Sequence, residues 1–184
     1  MKRSKRILST CRRFLLMLML LPAFGNAVEL EFKGQLLNRP CRIDPEMTMQ
    51  TVSFRDTATP LYNTWTGKSY AEKFHIKFIN CQKSTMGKTL KLKFTGAEER
   101  TLPGYLQVNG VNHGNLGIGI IDSDGVSVLD LNSVHNRREG TVVQHKNIVL
   151  NFSAFLQATP DAIAGKRVKP GAFDAIATFS VMYE

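Results

Sequence analysis

Phe74-His-Ile-Lys-Phe-Ile-Asn-Cys81 is the stretch that decides the fold. Phe74, Ile76 and Phe78 alternate with His75, Lys77 and Ile79, a period of two that turns one face to a core and the other outward. The same pattern recurs on either side. Leu90, Leu92 and Phe94 alternate with Lys91, Lys93 and Thr95. Leu116, Ile118 and Ile120 form a third series, ahead of the turn pair Asp124-Gly125 and a short Val126-Ser-Val128 strand. Asn147 to Leu156 and Gly171 to Tyr183 read as further strands, and Val28, Leu30 and Phe32 alternate with Glu29, Glu31 and Lys33 near the front. Outside the N-terminal region, only Pro160 to Gly165 suits a helical turn, with Thr159 as cap and Pro160 at the first helical position. Pro60, Gly67, Gly87, Pro103-Gly104, Gly110 and Gly140 punctuate the chain at short intervals. Many short strands so punctuated predict an all-β, immunoglobulin-like β-sandwich.

The chain has 184 residues, of which 43% are hydrophobic and 21% charged, values that disfavour a collagenous, disordered or multi-pass membrane protein. Its net charge of +9 invites a nucleic-acid reading. Position undoes it. Lys2, Arg3, Lys5, Arg6, Arg12 and Arg13 precede the apolar run Phe14 to Phe24, which is followed by Gly25-Asn26-Ala27. A basic segment, a short apolar run and a small-x-small site read as a secretory signal peptide over residues 1–27. The run falls short of the ~20 apolar residues that span a bilayer. Cleavage after Ala27 leaves 18 of the 24 basic residues against 15 acidic ones, a net charge of +3, so no nucleic-acid partner is expected.

Cys11 leaves with the leader. Cys41 and Cys81 remain, and in an exported chain they are expected to pair, closing a loop of ~40 residues that would stabilise the fold by roughly 4 kcal/mol. A zinc site would need about four close ligands, and neither CxxC nor HExxH occurs. Other chemistry finds no support. Asp122-Ser-Asp-Gly125 begins like a calcium loop but lacks the closing glutamate, so it reads as a hairpin turn. His75, His113, His135 and His145 have no ligand spacing, and there is no GxSxG elbow. Glu98-Glu99 and the Asp122/Asp124 pair read as solvent-facing charge in turns. Lys88, Lys91 and Lys93 read as a solvated stripe, with contact to an acidic neighbour as the sharper alternative. Asn151-Phe-Ser153 is a formal glycosylation sequon inside a strand and carries little weight in a bacterial exported chain. The expectation is a protein with no cofactor, no metal and no enzymatic activity.

The two ends are the unusual parts. Phe173, Ala175, Ala177, Phe179, Val181 and Tyr183 are expected to share one face of a strand that stops at Glu184, near a sheet edge that invites another chain. Val28 to Leu37 is a strand-like peptide ahead of the first mature cysteine, and nothing obliges it to fold onto its own domain. Pattern alone leaves a plain reading open: an ordinary first strand, and a last strand that completes its own sandwich.

Phe32-Lys-Gly-Gln-Leu-Leu-Asn-Arg-Pro-Cys41, Gly171 at the fourteenth position from the end, and the penultimate Tyr183 resemble the pilins of the chaperone–usher pathway. Within that family, Leu102 to Val111, Leu116 to Gly125 and Ala158 to Ala162 resemble the P-pilus tip-fibrillum adaptor subunit, which joins tip fibre to rod. The resemblance spans the mature chain. It implies a pilin fold lacking its last strand, with residues 28–37 as a donor extension and 38–184 as the pilin domain. Val28, Leu30, Phe32 and Leu36 would enter the groove of a preceding subunit, with Gly34 where a side chain would clash. Gly171, Phe173, Phe179, Val181 and Tyr183 would border this chain's own acceptor groove, and basic residues of a chaperone would anchor the Glu184 carboxylate. The implied partners are a periplasmic pilus chaperone, an outer-membrane usher and neighbouring subunits on both sides. The implied location is a fimbrium on the cell surface, reached through the periplasm. A secreted sandwich adhesin or carbohydrate-binding module is the alternative, although the lone Trp65 offers little for sugar stacking.

Overall fold

The computed structural model describes residues 40–184. The expected leader and donor extension, with Val28, Leu30, Phe32, Gly34 and Leu36, lie outside the described residues. The described chain forms β1 (Arg42–Ile43), β2 (Glu72–Ile79), β3 (Thr89–Gly96), β4 (Leu106–Gln107), β5 (Asn109–Gly110) and β6 (Leu116–Ile121). These are followed by β7 (Val128–Leu129), β8 (Thr141–Val142), β9 (Ile148–Ala158), a short helix α1 (Pro160–Gly165), β10 (Phe173–Asp174) and β11 (Ala177–Tyr183).

Every pairing is antiparallel. One sheet runs β1-β2-β9-β6-β4 with β7 also on β6, a second runs β11-β3-β8, and β10 pairs with β5 alone. Alternation places Ile76 and Phe78 of β2, Leu150, Phe152 and Leu156 of β9, and Leu90, Leu92 and Phe94 of β3 in one core. Each such side chain contributes about 1.5–3 kcal/mol on burial. Aromatic rings join the two larger sheets: Phe94 meets Phe152 edge-on at 5.2 Å and Phe74 at 6.0 Å. Cys41 and Cys81 form a disulfide, S–S 2.18 Å, across 40 residues of sequence. Beside it the Pro40 carbonyl accepts from Gln82 N and Thr85 Oγ1, both at 2.9 Å.

A second, smaller packing unit lies on the outer face of the six-stranded sheet. Phe155 points outward by alternation, yet it is fully buried. Tyr105 packs edge-on against its ring at 5.8 Å, and Lys68 Nζ sits 3.6 Å from its centroid. Room for this comes from glycines two apart in β6. A Cβ at Gly119, opposite Phe155, would overlap the Phe155 ring and lie 2.6 Å from Tyr105 Cε1. One at Gly117 would lie 3.2 Å from Leu102 and 3.3 Å from Tyr105. The Leu102–Tyr105 turn and the Leu116-Gly-Ile-Gly-Ile120 strand are therefore complementary surfaces of one contact.

The helical turn forms as read: Thr159 Oγ1 accepts from Ala162 N at 3.2 Å, and the helix ends at Lys166 in the left-handed conformation. Two strand expectations are corrected. The Val126–Val128 strand begins only at Val128, because Asp124 Oδ1 takes the Val126 and Ser127 amides, each at 2.9 Å, into the turn. Gly171 to Tyr183 is not one strand. Phe173 and Asp174 pair with Gly110 and Asn109, the chain then leaves that sheet, and pairing resumes on β3 from Ala177. Phe173 and Ala175 still pack on the core, but Ala177 is exposed rather than on the apolar face.

Gly119→Ala is expected to lower unfolding stability by about 1–3 kcal/mol through overpacking against Phe155 and Tyr105. Denaturant unfolding would read this as a lower midpoint at unchanged slope. An unaltered midpoint would mean that this contact is not close-packed.

Candidate functional site

β11 is the place where the core opens. It pairs with β3 in unbroken register, from Ala177 opposite Gly96 to Tyr183 opposite Leu90. Among the described residues, no strand pairs with its other edge. The inward side chains of β3, Leu90, Leu92 and Phe94, are at most 4% exposed. Their neighbours on β11, Phe179, Val181 and Tyr183, point to the same core but are only half-buried. One strand further out, apolar side chains lose their cover.

Backbone geometry matches that side-chain pattern. Glu184 and Thr89 exchange both main-chain bonds, at 2.7 and 3.0 Å. Antiparallel ladders alternate bonded and non-bonded pairs, so Tyr183, Val181 and Phe179 direct their N–H and C=O groups away from β3. The residues that turn half-buried side chains inward are thus the ones whose main-chain groups face the open edge. Such an edge is a template for one more strand.

A second half-buried apolar series packs on the same core from the N-terminal side: Cys41, Ile43, Val52 and Phe54. The two series meet where Phe54 and Phe173 approach at 5.6 Å. Both residues line a hollow of about 130 Å³ there, with Tyr62, Asn112, Val168 and Gly171. Gly171 has φ +153°, and a Cβ on it would lie 2.6 Å from Val111 Cγ2. Beneath β11, Phe179 rests on Phe94 at 6.4 Å, and half-buried Phe74 adjoins Phe94 and Phe152. Val52, Phe54 and Phe74 were not singled out as site residues from sequence. Val52-Ser-Phe54 does alternate, but three residues are too few to mark a strand.

Glu184 closes the site at its C-terminal end, where its side chain lies 2.5 Å from Lys91 Nζ. The Glu184 side chain is 61% exposed, so this pair contributes only about 0–1 kcal/mol. Lys91 is therefore not simply a member of a free solvated stripe.

The acidic residues of the turns also differ from expectation. Glu99 is 2% exposed and Asp122 likewise, so neither faces solvent. Asp122 accepts from Ser123, Asn136 and Arg137, and Asp124 from Val126, Ser127 and Arg137. The Ser127 hydroxyl leads the contacts that hold the Asp124 carboxyl well below its usual range. Donors already surround both carboxylates, and no metal-binding cluster occurs among the described residues.

Residues 30–184 match the family model described as fimbrial protein. The chain is 39% identical over 161 residues to the fimbrial adapter PapK of Escherichia coli, covering 86% of this chain and 90% of that one. It is 32% identical over 157 residues to the major MR/P fimbria protein of Proteus mirabilis, covering 84% and 82%. Among solved structures it resembles the P pilus rod subunit PapA, with a TM-score of 0.66 at 23% identity, covering 79% of this chain and 99% of that one. A chaperone–usher pilus structure matches with a TM-score of 0.65 at 22% identity, covering 89% and 100%. These two structures share the immunoglobulin-like pilin fold with this chain.

Burial pushes the Tyr183 hydroxyl from its ordinary 10.0 up to about 12. The fold favours the neutral phenol, so the stability it contributes is complete below 10 and drains away as pH rises toward 12. In an ultraviolet alkaline titration, a late step near 12 is expected, and Tyr183→Phe is expected to remove it. Loss of a different step would place Tyr183 in solvent.

Proposed function

The chain belongs to the fimbrial protein family, and from that membership we propose that it is an adaptor-type structural subunit of an adhesive pilus. The supporting observation is β11, an edge strand among the described residues whose half-buried apolar side chains face the core while their main-chain groups face its outer edge. Identity of 39% to a fimbrial adapter supports the adaptor role, linking tip fibrillum to rod.

The subunit is exported through the periplasm to the cell surface, with residues 1–27 removed as a leader. Residues 28–37 are its donor extension and 38–184 its pilin domain. An incoming donor strand bonds to the outward main chain of Phe179, Val181 and Tyr183 and seats alternate side chains along the half-buried row. Each half-buried apolar side chain so covered adds roughly 1 kcal/mol, and the added ladder satisfies the edge. A periplasmic chaperone supplies that strand first and holds the Glu184 carboxylate with basic residues. At the outer-membrane usher, a neighbouring subunit's extension replaces it. This chain's own Val28, Leu30, Phe32 and Leu36 enter the preceding subunit in the same way, with Gly34 at the shallow point. The activity is mechanical: one strand donated, one accepted.

The test is expression of residues 28–184 with and without the cognate chaperone. The chain alone is expected to be unstable and to form a one-to-one complex when the chaperone is present. Deleting residues 28–37 should leave chaperone binding intact and abolish attachment to the preceding subunit, and Gly34→Phe should weaken that attachment without altering folding. A stable, soluble monomer in the absence of chaperone would sink the reading.

A further inference from the structure

The edge of β3 that faces away from β11 is closed in an unusual way. β8 covers only its beginning, Thr89 and Leu90 opposite Val142 and Thr141. Beyond that, residues 132–140 take over: Asn132 N donates to Phe94 O at 2.7 Å and His135 N to Leu92 O at 2.9 Å. Leu92 is fully buried, so its own amide needs an acceptor. A side chain supplies it. Leu92 N donates to His135 Nδ1 at 3.1 Å, while Nε2 lies 2.9 Å from Thr141 Oγ1. His135 is itself fully buried, with its ring edge-on to Phe152 at 6.3 Å. One imidazole stands in for a missing strand carbonyl.

An Nδ1 that accepts from an amide carries no proton, so the ring is neutral and its proton lies on Nε2, donated to Thr141. We propose that His135 is an acid-sensitive latch: protonating it sets a ring N–H against the Leu92 N–H and releases residues 132–140 from the edge of β3. The loop is poised to leave. Asn136, Arg137 and Arg138 have φ of 54°, 54° and 74°, three consecutive non-glycine residues in the left-handed region. They stay wound because the Asp122 carboxylate accepts from Asn136 N at 2.8 Å and Arg137 N at 3.1 Å.

The charged groups around the ring come from three elements. The β6–β7 turn contributes Asp122, whose charge favours the protonated ring, and Asp124, which Arg137 Nε neutralises at 3.0 Å. The loop contributes Arg137, Arg138 and Glu139, all exposed. β3 contributes Lys91 and Lys93 on either side of Leu92, the first paired with Glu184. β9 presents the Phe152 ring and β8 the Thr141 hydroxyl, neither charged. Burial holds the imidazole below its ordinary 6.5, against the opposing charge of Asp122. The latch is complete above 6.5, and its contribution drains away as pH falls through the lowered folded value.

The test uses isotope-labelled full chain, purified with the chaperone or subunit it carries, and follows His135 and the Leu92 amide by nuclear magnetic resonance. At about pH 7.5 Nδ1 should be unprotonated and the Leu92 amide protected. By about pH 5 the ring should be protonated and Leu92 protection reduced at least about tenfold, while Phe78 in β2 keeps its protection. His135→Asn supplies a non-titrating oxygen near the Nδ1 position and should hold Leu92 protection constant across that range. A ring still neutral at about pH 5, or one that protonates with Leu92 protection unchanged, overturns the proposal. Those wild-type readings decide it even where the variant fails to fold.

Discussion

The ladder between β3 and β11 is the contact on which the rest of the structure depends. It runs from Gly96–Ala177 to Leu90–Tyr183 and closes with the reciprocal Thr89–Glu184 bonds. Because no strand lies beyond β11 in its sheet among the described residues, this single ladder completes one side of the core and leaves the row on β11 half covered. Strands normally blunt such an edge with charge, bulges or brevity. Here the inward positions are phenylalanine, valine and tyrosine over seven residues, the opposite of a protected edge.

The cost of the open side is spread over residues that need more cover than they have. Phe54, Phe74, Phe173, Phe179, Val181 and Tyr183 are each half-buried, whereas Phe78, Leu90 and Leu92 a strand away are fully enclosed. On the proposed reading, another strand covering this row adds stability, which ties assembly to folding. The opposite edge of β3 is finished from within: Thr141 in a short ladder, the His135 ring beyond it, and Asn132 at the end. The outer face of the larger sheet is likewise sealed, by Tyr105 and Lys68 over Phe155.

Much of this could be read from the residues. β2, β3, β6 and β9 announce themselves because each sets a row of apolar residues two apart, such as Phe74, Ile76 and Phe78 or Leu90, Leu92 and Phe94, and a period of two has only one good structural solution. Phe179, Val181 and Tyr183 were legible for the same reason. The break between Phe173 and Ala177 was not, because alternation continues through Ala175 while the hydrogen-bonding partner changes from β5 to β3. Side-chain periodicity reports which way a residue points and carries no information on which strand lies beside it. Asp122 and Glu99 were misread as surface charge for a related reason: a carboxylate in a turn is usually solvated, and only the folded loops bring backbone amides and apolar cover to it.

The amino-acid sequence by itself determined an exported, disulfide-bonded all-β chain with an apolar strand toward its C-terminal end, because charge placement, cysteine count and alternation are local properties. Only the tertiary structure decided that β11 has a partner on one flank, that Phe54 and Phe74 belong to the same half-covered core, and that His135 serves as a backbone acceptor. Each of these depends on contacts between segments separated by tens of residues. Long-range proximity arises from packing, and no local pattern encodes it.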